Sequence, residues 1–288
     1  VSKKLPAVCE KEKEEILTSA KELKDAKKGC FWIFGNIYKT GSPFDVIFDY
    51  IRMVFHVDLI YFNHMLKEIM DKKEQVDAMV TTMGTIEAAV SVALYRASLD
   101  KGWCVPVFED GEMNVENAYH PLIKNPVKNS IRTEKNVLLT GSNASGKSTF
   151  LKTMALSSLL AQTIYTVSAD KYEAPIYHLY SSMSLRDDLD SGDSYYIVEI
   201  KSIKRILDSM ESTDGKVLCF VDEVLRGTNT VERIAASTQI LLSMAGENMQ
   251  CFAATHDIEL TGLLEGPYEN YHFEEEIKDG DVLFNYQL

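Results

Sequence analysis

Apolar residues recur at three- and four-residue spacing through much of the first hundred residues, which is the period of an amphipathic helix. One such stretch follows Ser42-Pro43, a capping residue and a proline suited to the first helical position, and predicts a helix that ends near Lys73. A second helix is predicted over Gln75–Leu99, where small residues line one face. We therefore predict a helical region over residues 1–100.

The pattern changes after Trp103, where short apolar runs alternate with helical stretches. The runs Val217–Val221 and Cys251–Ala254 are apolar throughout, as in strands that are covered on both faces. Alternation of strands and helices predicts an α/β domain with a mostly parallel sheet, here over residues 101–288. A hairpin that turns at Asp279-Gly280 is predicted at the end of this domain.

Composition and net charge indicate a globular protein and argue against one class of function. The 45% hydrophobic and 25% charged fractions are those of an ordinary globular protein. The net charge is −13, and residues 113–288 carry 25 acidic against 15 basic side chains. This balance argues against a free-standing nucleic-acid binder, which needs clustered Lys and Arg to neutralise phosphates.

The five cysteines are scattered and form no C-x-x-C pair, which argues against a zinc site and favours a reducing compartment. We therefore expect a cytoplasmic location. Because the sequence begins with Val1, it is also consistent with a fragment, and a membrane tether in a longer chain stays open.

The clearest chemical signal is the run GSNASGKS, which fits the phosphate-binding pattern G-x-x-x-x-G-K-[ST] at each fixed position. It follows the predicted strand Val137–Thr140 and opens a predicted helix. Its glycines let backbone N–H groups close around phosphates at a helix N-terminus, which favours anions. Lys147 would bring positive charge to the β- and γ-phosphates, and Ser148 would offer its hydroxyl to Mg²⁺.

Two other predicted strands end in polar residues suited to the same chemistry. Asp222-Glu223 follows an apolar strand; one carboxylate there can hold Mg²⁺, and the next can orient or deprotonate the attacking water. Thr255-His256 closes the strand Gln250–Ala254, and His256 is interpreted as a sensor of the γ-phosphate. The small polar turn Ser191–Ser194 opens a helix, either as an ordinary cap or as a second anion-binding N-terminus.

Together these elements resemble the ATP-binding-cassette class and, within it, the MutS mismatch-repair ATPases. Val217–Thr230 (VLCFVDEVLRGTNT) looks like the family's acidic strand and the loop after it. Phe252–Leu260 (FAATHDIEL) looks like its Thr-His element with one residue shifted, and Gly192–Ile200 (GDSYYIVEI) is similar to its signature. The resemblance covers roughly residues 80–288. It implies an ABC-type P-loop fold, with a mixed or parallel sheet flanked by helices and a helical lever before it.

The resemblance also implies an activity, the Mg²⁺-dependent hydrolysis of ATP to ADP and phosphate. Glu223, Lys147 and His256 would be the catalytic residues, and Ser148 and Asp222 would bind the metal. The nucleotide-binding residues that it implies are Gly141, Ser142, Asn143, Ala144, Ser145, Gly146, Lys147, Ser148, Thr149, Leu122, Ile123 and Ser194.

Two of these assignments describe contacts beyond the phosphate loop. Leu122-Ile123 would contact the adenine by apolar packing, at a position where the family often has an aromatic residue. Ser194, and the loop Gly227–Thr230, would act in trans on the ATP of a second subunit. The resemblance therefore implies a homodimer with ATP at the shared interface.

The role of the ATPase cycle follows from the resemblance alone. In the family it drives conformational change in a DNA-bound clamp that works with downstream repair factors. The signature has Tyr195-Tyr196 where the family has Thr-Phe, which indicates a divergent branch. This chain also shows no mismatch-reading domain and has a net charge of −13. We therefore expect DNA binding to be weak here. The alternatives are a MutS-like switch or scaffold outside mismatch repair, tethered through a further segment, and a chromosome-maintenance ATPase. Asp222 follows Lys147 by only 75 positions, which counts against the chromosome-maintenance ATPase, because that class has a long coiled coil there.

Overall fold

The chain forms two units in the computed structural model, Val1–Tyr95 and Arg96–Leu288. The structure describes residues 10–27, 33, 43–142, 144–183, 195–225, 229–278 and 281–288. The first unit is mostly helical over the residues that the structure describes. Its helices are α1 (Glu10–Glu22), α2 (Pro43–Phe55), α3 (Val57–Asp71) and α4 (Lys73–Ser98).

The prediction of one unbroken helix to about Lys73 is wrong, because the structure has two helices, α2 and α3, over this range. His56 separates α2 from α3 with φ 48° and ψ 36°, a left-handed conformation that histidine adopts more readily than most residues. One such residue breaks the helix but leaves the spacing of apolar residues almost intact, so periodicity does not reveal it. The prediction of a second helix over Gln75–Leu99 is confirmed by α4. The predicted cap, Ser42, lies outside the described residues.

Apolar side chains of α2, α3 and α4 are largely exposed within this unit. Tyr50, Phe55 and Met70 each expose about two thirds of their surface. Thr82 is buried, and its hydroxyl donates to Glu15 Oε2 at 3.1 Å, which ties α4 to α1. Among the described helices, α4 is long and apolar enough to cross a bilayer. This statement rests on its length and composition alone.

The second unit contains two larger sheets and a hairpin. A mixed sheet has the order β1-β5-β2-β3, and a second sheet has the order β6-β7-β8-β4-β9. The predicted C-terminal hairpin is confirmed by the antiparallel pair β10–β11, although its turn lies outside the described residues. The strands are β1 (Val107–Phe108), β2 (Met113–Ala118), β3 (Asn129–Thr133), β4 (Asn136–Thr140), β5 (Lys171–Ala174), β6 (Tyr177–Ser182), β7 (Lys216–Asp222), β8 (Met249–Ala254), β9 (Tyr268–His272), β10 (Glu275–Lys278) and β11 (Asp281–Phe284). The helices are α5 (Lys147–Ile164), α6 (Tyr195–Ser212), α7 (Thr230–Ser243) and the short α8 (Glu259–Leu263).

Every pairing in the five-stranded sheet is parallel, so the carboxyl ends of its strands meet at one edge. Strand β8 lies between β7 and β4. The residues that follow these three neighbouring strands are therefore brought together, although they are far apart in sequence. The predicted α/β fold with a mixed or parallel sheet is confirmed.

Helices cover this sheet on both faces, so its three central strands, β4, β7 and β8, are buried from both sides. Along β4, Val137 and Leu139 pack into one apolar cluster with Phe150 and Met154 of α5. The residue between them, Leu138, packs into the opposite cluster. Each fully buried aliphatic side chain contributes about 1.5–3 kcal/mol of transfer free energy. These contacts hold the carboxyl edge of the sheet in a fixed position.

Candidate nucleotide-binding site

The loop between β4 and α5 has an unusual backbone. Gly141, Ala144 and Gly146 have φ values of 139°, 68° and 111°. A Cβ atom added to Gly141 would lie 2.9 Å from Ser145 Oγ and 3.1 Å from the carbonyl oxygen of Phe273. Glycine is therefore required at Gly141 by conformation and by space, and the loop closes tightly before α5 begins at Lys147.

The ammonium group of Lys147 lies inside this loop. Its side chain is 5% exposed, and Nζ donates to the carbonyl oxygens of Gly141 at 2.7 Å and Ser142 at 2.6 Å. Nζ also lies 3.4 Å from His256 Nδ1. A positive charge is thus held at the amino end of α5, where the helix dipole is also positive, and the two together favour an anion.

A polar cavity of about 470 Å³ opens in front of the loop. It has the size and the charge for a polyphosphate. Tyr286 also borders this cavity, although the motifs gave no indication of it. The lining residues are Ala144, Ser145, Gly146, Lys147, Ser148, Thr149, Glu223, His256 and Tyr286.

His256 Nε2 and Glu223 Oε1 form a hydrogen bond across this cavity. The strand topology explains the contact, because Glu223 follows β7 and His256 follows the adjacent β8. Since a lysine ammonium can only donate, His256 Nδ1 accepts from Lys147, and the Nε2 proton points to Glu223. Lysine, imidazole and carboxylate therefore form a continuous polar chain at the mouth of the loop.

Asp222 ends β7 and is buried, with 9% of its surface exposed. Its Oδ1 has no hydrogen-bond partner within the described part of the chain. A buried anionic oxygen is costly unless a donor or a cation meets it. Carboxylate and hydroxyl oxygens are the ligands that Mg²⁺ prefers, so the oxygens of Asp222 and of Ser148, which lines the polar cavity, are of the type that suits this ion.

A more apolar pocket of about 310 Å³ lies beside the polar cavity and shares Gly146, Thr149 and Tyr286 with it. Ile123 lines this pocket, whereas Leu122 is 86% exposed and does not. The other lining residues are Ala118, His120, Asn125, Pro126, Val127, Asn129, Phe150, Thr153 and Phe273. Its volume and lining suit a planar heterocycle.

Two features of the pocket wall were not found by sequence reasoning. Burial, followed by the nearby charge of Lys152, lowers the pKa of His120, so this ring is neutral at pH 7. Tyr286 is placed by the side-chain amide of Asn129, whose Nδ2 donates to Tyr286 O at 3.0 Å while its Oδ1 accepts from Leu288 N at 2.8 Å. The Asn129 amide thus makes two hydrogen bonds to the backbone of the C-terminal segment. These bonds hold Tyr286 where it lines both cavities.

Some predicted site residues cannot be located. Asn143 of the phosphate loop lies outside the described residues, as do the turn that contains Ser194 and residues 226–228. The described end of the latter loop, Asn229, caps α7 by accepting from Val231 N at 3.2 Å.

The fold and the site together define a class of protein. A parallel sheet whose β4 leads through a glycine loop into a helix, beside strands ending in a carboxylate pair and a Thr-His pair, is an ABC-type P-loop ATPase domain. A family model described as MutS domain V matches residues 137–288, which is more than half of the chain. The chain belongs to this family, that of the ATPase domain of MutS.

Curated relatives carry the same family name. The chain is 33% identical over 172 residues to the DNA mismatch repair protein MutS of Pseudothermotoga lettingae, covering 56% of this chain and 21% of that protein. It is 32% identical over 210 residues to MutS of Thermotoga petrophila, covering 70% and 26%. For MutS of Natronomonas pharaonis the values are 29% over 240 residues, 79% and 27%. The chain therefore spans about a quarter of the length of these relatives.

Proposed function

We propose that this chain binds ATP with Mg²⁺ and hydrolyses it to ADP and phosphate. The observation that carries the proposal is the convergence of Lys147, Glu223 and His256 on one polar cavity, which continues into an apolar pocket of the size of a base. Membership of the MutS ATPase-domain family supports the same nucleotide.

In the proposed reaction each side chain has one task. Lys147 stabilises the negative charge that spreads over the transferred phosphoryl group. Ser148 and Asp222 would hold Mg²⁺, which supplies further neutralisation of phosphate charge. Glu223 orients the attacking water and accepts its proton, and His256 holds the Glu223 carboxylate at the cavity through its Nε2 proton.

The base is proposed to lie in the apolar pocket. Ile123 and the ring of Tyr286 offer apolar surface, and the neutral His120 offers no charge that would exclude a heterocycle. Leu122 has no part in this proposal, because it is exposed and does not line the pocket.

We also propose that a second copy completes the site. Ser194 and the loop Gly227–Thr230 would contact the ATP of the partner, so ATP would promote a homodimer by linkage. Turnover per chain should then rise with protein concentration, and Ser194→Arg should suppress it while leaving ATP binding to the monomer nearly intact. Constant specific activity in a strictly monomeric sample would contradict the shared site.

For the whole protein we propose a MutS-like role, in which the nucleotide cycle drives conformational change on DNA in the cytoplasm, with downstream repair factors as partners. The names of the relatives support this role. The second candidate is a MutS-like switch outside mismatch repair, including one tethered to a membrane. It is favoured by the excess of acidic side chains in residues 113–288, which opposes DNA phosphates. Tight, mismatch-selective DNA binding by this chain would exclude the second candidate.

The ATPase proposal is tested with Lys147→Ala and a matched control, Lys152→Ala, which removes an exposed lysine from the same helix. Calorimetry gives ATP affinity, and phosphate release gives turnover. Lys147→Ala should lower turnover by roughly 100-fold or more, the cost of losing one group that stabilises the transition state, and the control should not. Equal activity of both variants and the wild type would overturn the proposal.

A further inference from the structure

The loop that carries Glu223 has a strained backbone. Glu223 and Leu225 both have φ values in the left-handed region, 58° and 59°. Residues with a Cβ atom rarely adopt this conformation, and it persists only where surrounding contacts enforce it. The direction of the Glu223 side chain therefore depends on whatever holds this loop.

Hydrogen bonds with three neighbouring elements anchor the described part of the loop. Glu223 N donates to the carbonyl oxygen of Ala254 in β8 at 3.0 Å. The hydroxyl of Ser237 in α7 donates to Val224 O at 3.3 Å. Glu199 of α6 accepts from Leu225 N at 2.7 Å, through Oε1. The last contact is the shortest, and its acceptor is a carboxylate, which makes a stronger hydrogen bond than a neutral acceptor.

The position of Glu199 is unusual for a charged residue. It is 1% exposed and lies on the face of α6 that buries Ile203 and Ile206 in the apolar core. Val224 and Leu225 belong to the same apolar cluster. A carboxylate is costly in such surroundings, and a leucine at this position would suit the core better. The hydrogen bond from Leu225 N to Oε1 offsets part of the cost of burying the carboxylate.

Glu199 does not touch the reacting groups. It lines neither the polar cavity nor the apolar pocket. Its hydrogen bond to Leu225 N connects it to Glu223 through the backbone of Val224 and Leu225. This connection would let Glu199 affect hydrolysis through the geometry of the loop.

We propose that Glu199 is a positioning residue, whose buried carboxylate fixes Leu225 in its left-handed conformation and so aims Glu223 at the cavity. This inference rests on the proposed ATPase function. It adds a mechanical connection from α6, the helix that follows the Ser191–Ser194 turn, to the carboxylate that orients the attacking water.

The test compares Glu199→Leu, Glu199→Gln and a control, Glu211→Leu, which removes an exposed carboxylate from the last turn of the same helix. Turnover and ATP affinity are measured for each. Glu199→Leu should lower kcat by about 10–100-fold, the usual effect of losing a group that orients a reacting one, with ATP affinity unchanged. Glu199→Gln should recover most of kcat, because its amide oxygen can still accept from Leu225 N.

The same substitutions are repeated in a Glu223→Gln background. If Glu199 acts through Glu223, Glu199→Leu causes no further loss of turnover there. A loss of the same factor in both backgrounds, or wild-type kcat in Glu199→Leu, would overturn the inference.

A measurement without nucleotide separates this inference from the ATPase proposal. Hydrogen exchange of the Leu225 amide should accelerate in Glu199→Leu and not in Glu211→Leu. Should Glu199→Leu fail to fold, Glu199→Gln provides the same readout, with a smaller acceleration because a neutral acceptor binds more weakly. Unchanged exchange would reject the anchor even if the protein hydrolyses ATP. An accelerated amide in a chain without ATPase activity would instead reject the proposed function and the positioning role that rests on it.

Discussion

Gly141→Ala tests whether close packing of the phosphate loop shapes the nucleotide site. The new Cβ would meet Ser145 Oγ at 2.9 Å and the Phe273 carbonyl oxygen at 3.1 Å, at a φ of 139°. The Ser145 hydroxyl can rotate away, but the Phe273 backbone can move only by straining its hydrogen bond from Phe273 N to Thr140 O, which is 3.1 Å long. Gly141 or Phe273 must therefore move.

The matched control is Gly111→Ala. Gly111 also has a positive φ, 123°, but an added Cβ has nothing within 4 Å. Gly111→Ala should therefore lower the free energy of unfolding by the cost of backbone strain alone, about 1–3 kcal/mol. About 0.4–1 kcal/mol of this loss is recovered, because alanine restricts the unfolded chain. Gly141→Ala should lose about 1–3 kcal/mol more, the usual cost of overpacking.

Urea denaturation gives the free energy of unfolding for each variant, and calorimetry gives ATP affinity. The carbonyl oxygen of Gly141 also holds Lys147 Nζ, so movement of this residue displaces the cation. ATP affinity should fall in Gly141→Ala by at least about tenfold, or 1.4 kcal/mol, and stay unchanged in Gly111→Ala. Equal losses of stability in the two variants would refute the steric explanation. Wild-type ATP affinity in Gly141→Ala would refute the link to Lys147.

Three other predictions follow from the contacts around the site. Glu223→Gln should bind ATP normally but lower turnover by about 10²–10⁴-fold, because the amide cannot accept a proton; single-turnover phosphate release measures this, and wild-type turnover would move the role elsewhere. Arg233 binds Asp257 through two hydrogen bonds of 2.9 and 2.5 Å, so a double-mutant cycle with alanine at both positions should give a coupling free energy of about 1–3 kcal/mol, and zero coupling would contradict the pair. His120 has a folded-state pKa below its ordinary 6.5, so the unfolded chain binds more protons and the free energy of unfolding should fall as the pH drops through 6.5 and below. Urea unfolding at several pH values should show a smaller fall in His120→Gln than in the wild type. An identical fall would reject His120 as the cause.

The central part of the site could be predicted from sequence because each piece has a local signature. Strands buried on both faces have continuous apolar runs, and the residues proposed to act in catalysis at their ends come directly after them. Parallel pairing then brings these ends to one edge. Asp222-Glu223 and Thr255-His256 are close in space for this reason, and the hydrogen bond between His256 and Glu223 agrees with that topology.

Other strands of the same sheet could not be predicted, because their sequences lack such runs. β6 and β9 are its two edge strands, with the sequences YHLYSS and YENYH. An edge strand has fewer neighbours and keeps polar side chains in solvent, so its pattern resembles that of a loop. The left-handed break at His56 escaped prediction for a related reason, because one residue changes the path of the chain without changing its composition.

Residues that act through distant contacts were missed because no spacing records them. Tyr286 is placed by Asn129, 157 positions earlier in the chain. Glu199 did carry a local signal that could have been used: it lies four residues before Ile203 and seven before Ile206, within the apolar stripe of a predicted helix. A charged residue in such a stripe indicates a buried polar partner, but not which one.

The net charge of the chain and the charge of Lys147 act on ligands over different distances. Charges on the surface are screened over about 8–10 Å in physiological salt, so the acidic excess of residues 113–288 acts mainly on partners that bind the surface, such as DNA. ATP in the cavity would instead meet Lys147 at contact distance, where the ammonium is 5% exposed and poorly screened. A chain with a net charge of −13 can therefore bind a polyanionic nucleotide tightly and DNA weakly. It follows that weak DNA binding by this chain would not count against ATP hydrolysis, and that the two activities must be measured separately.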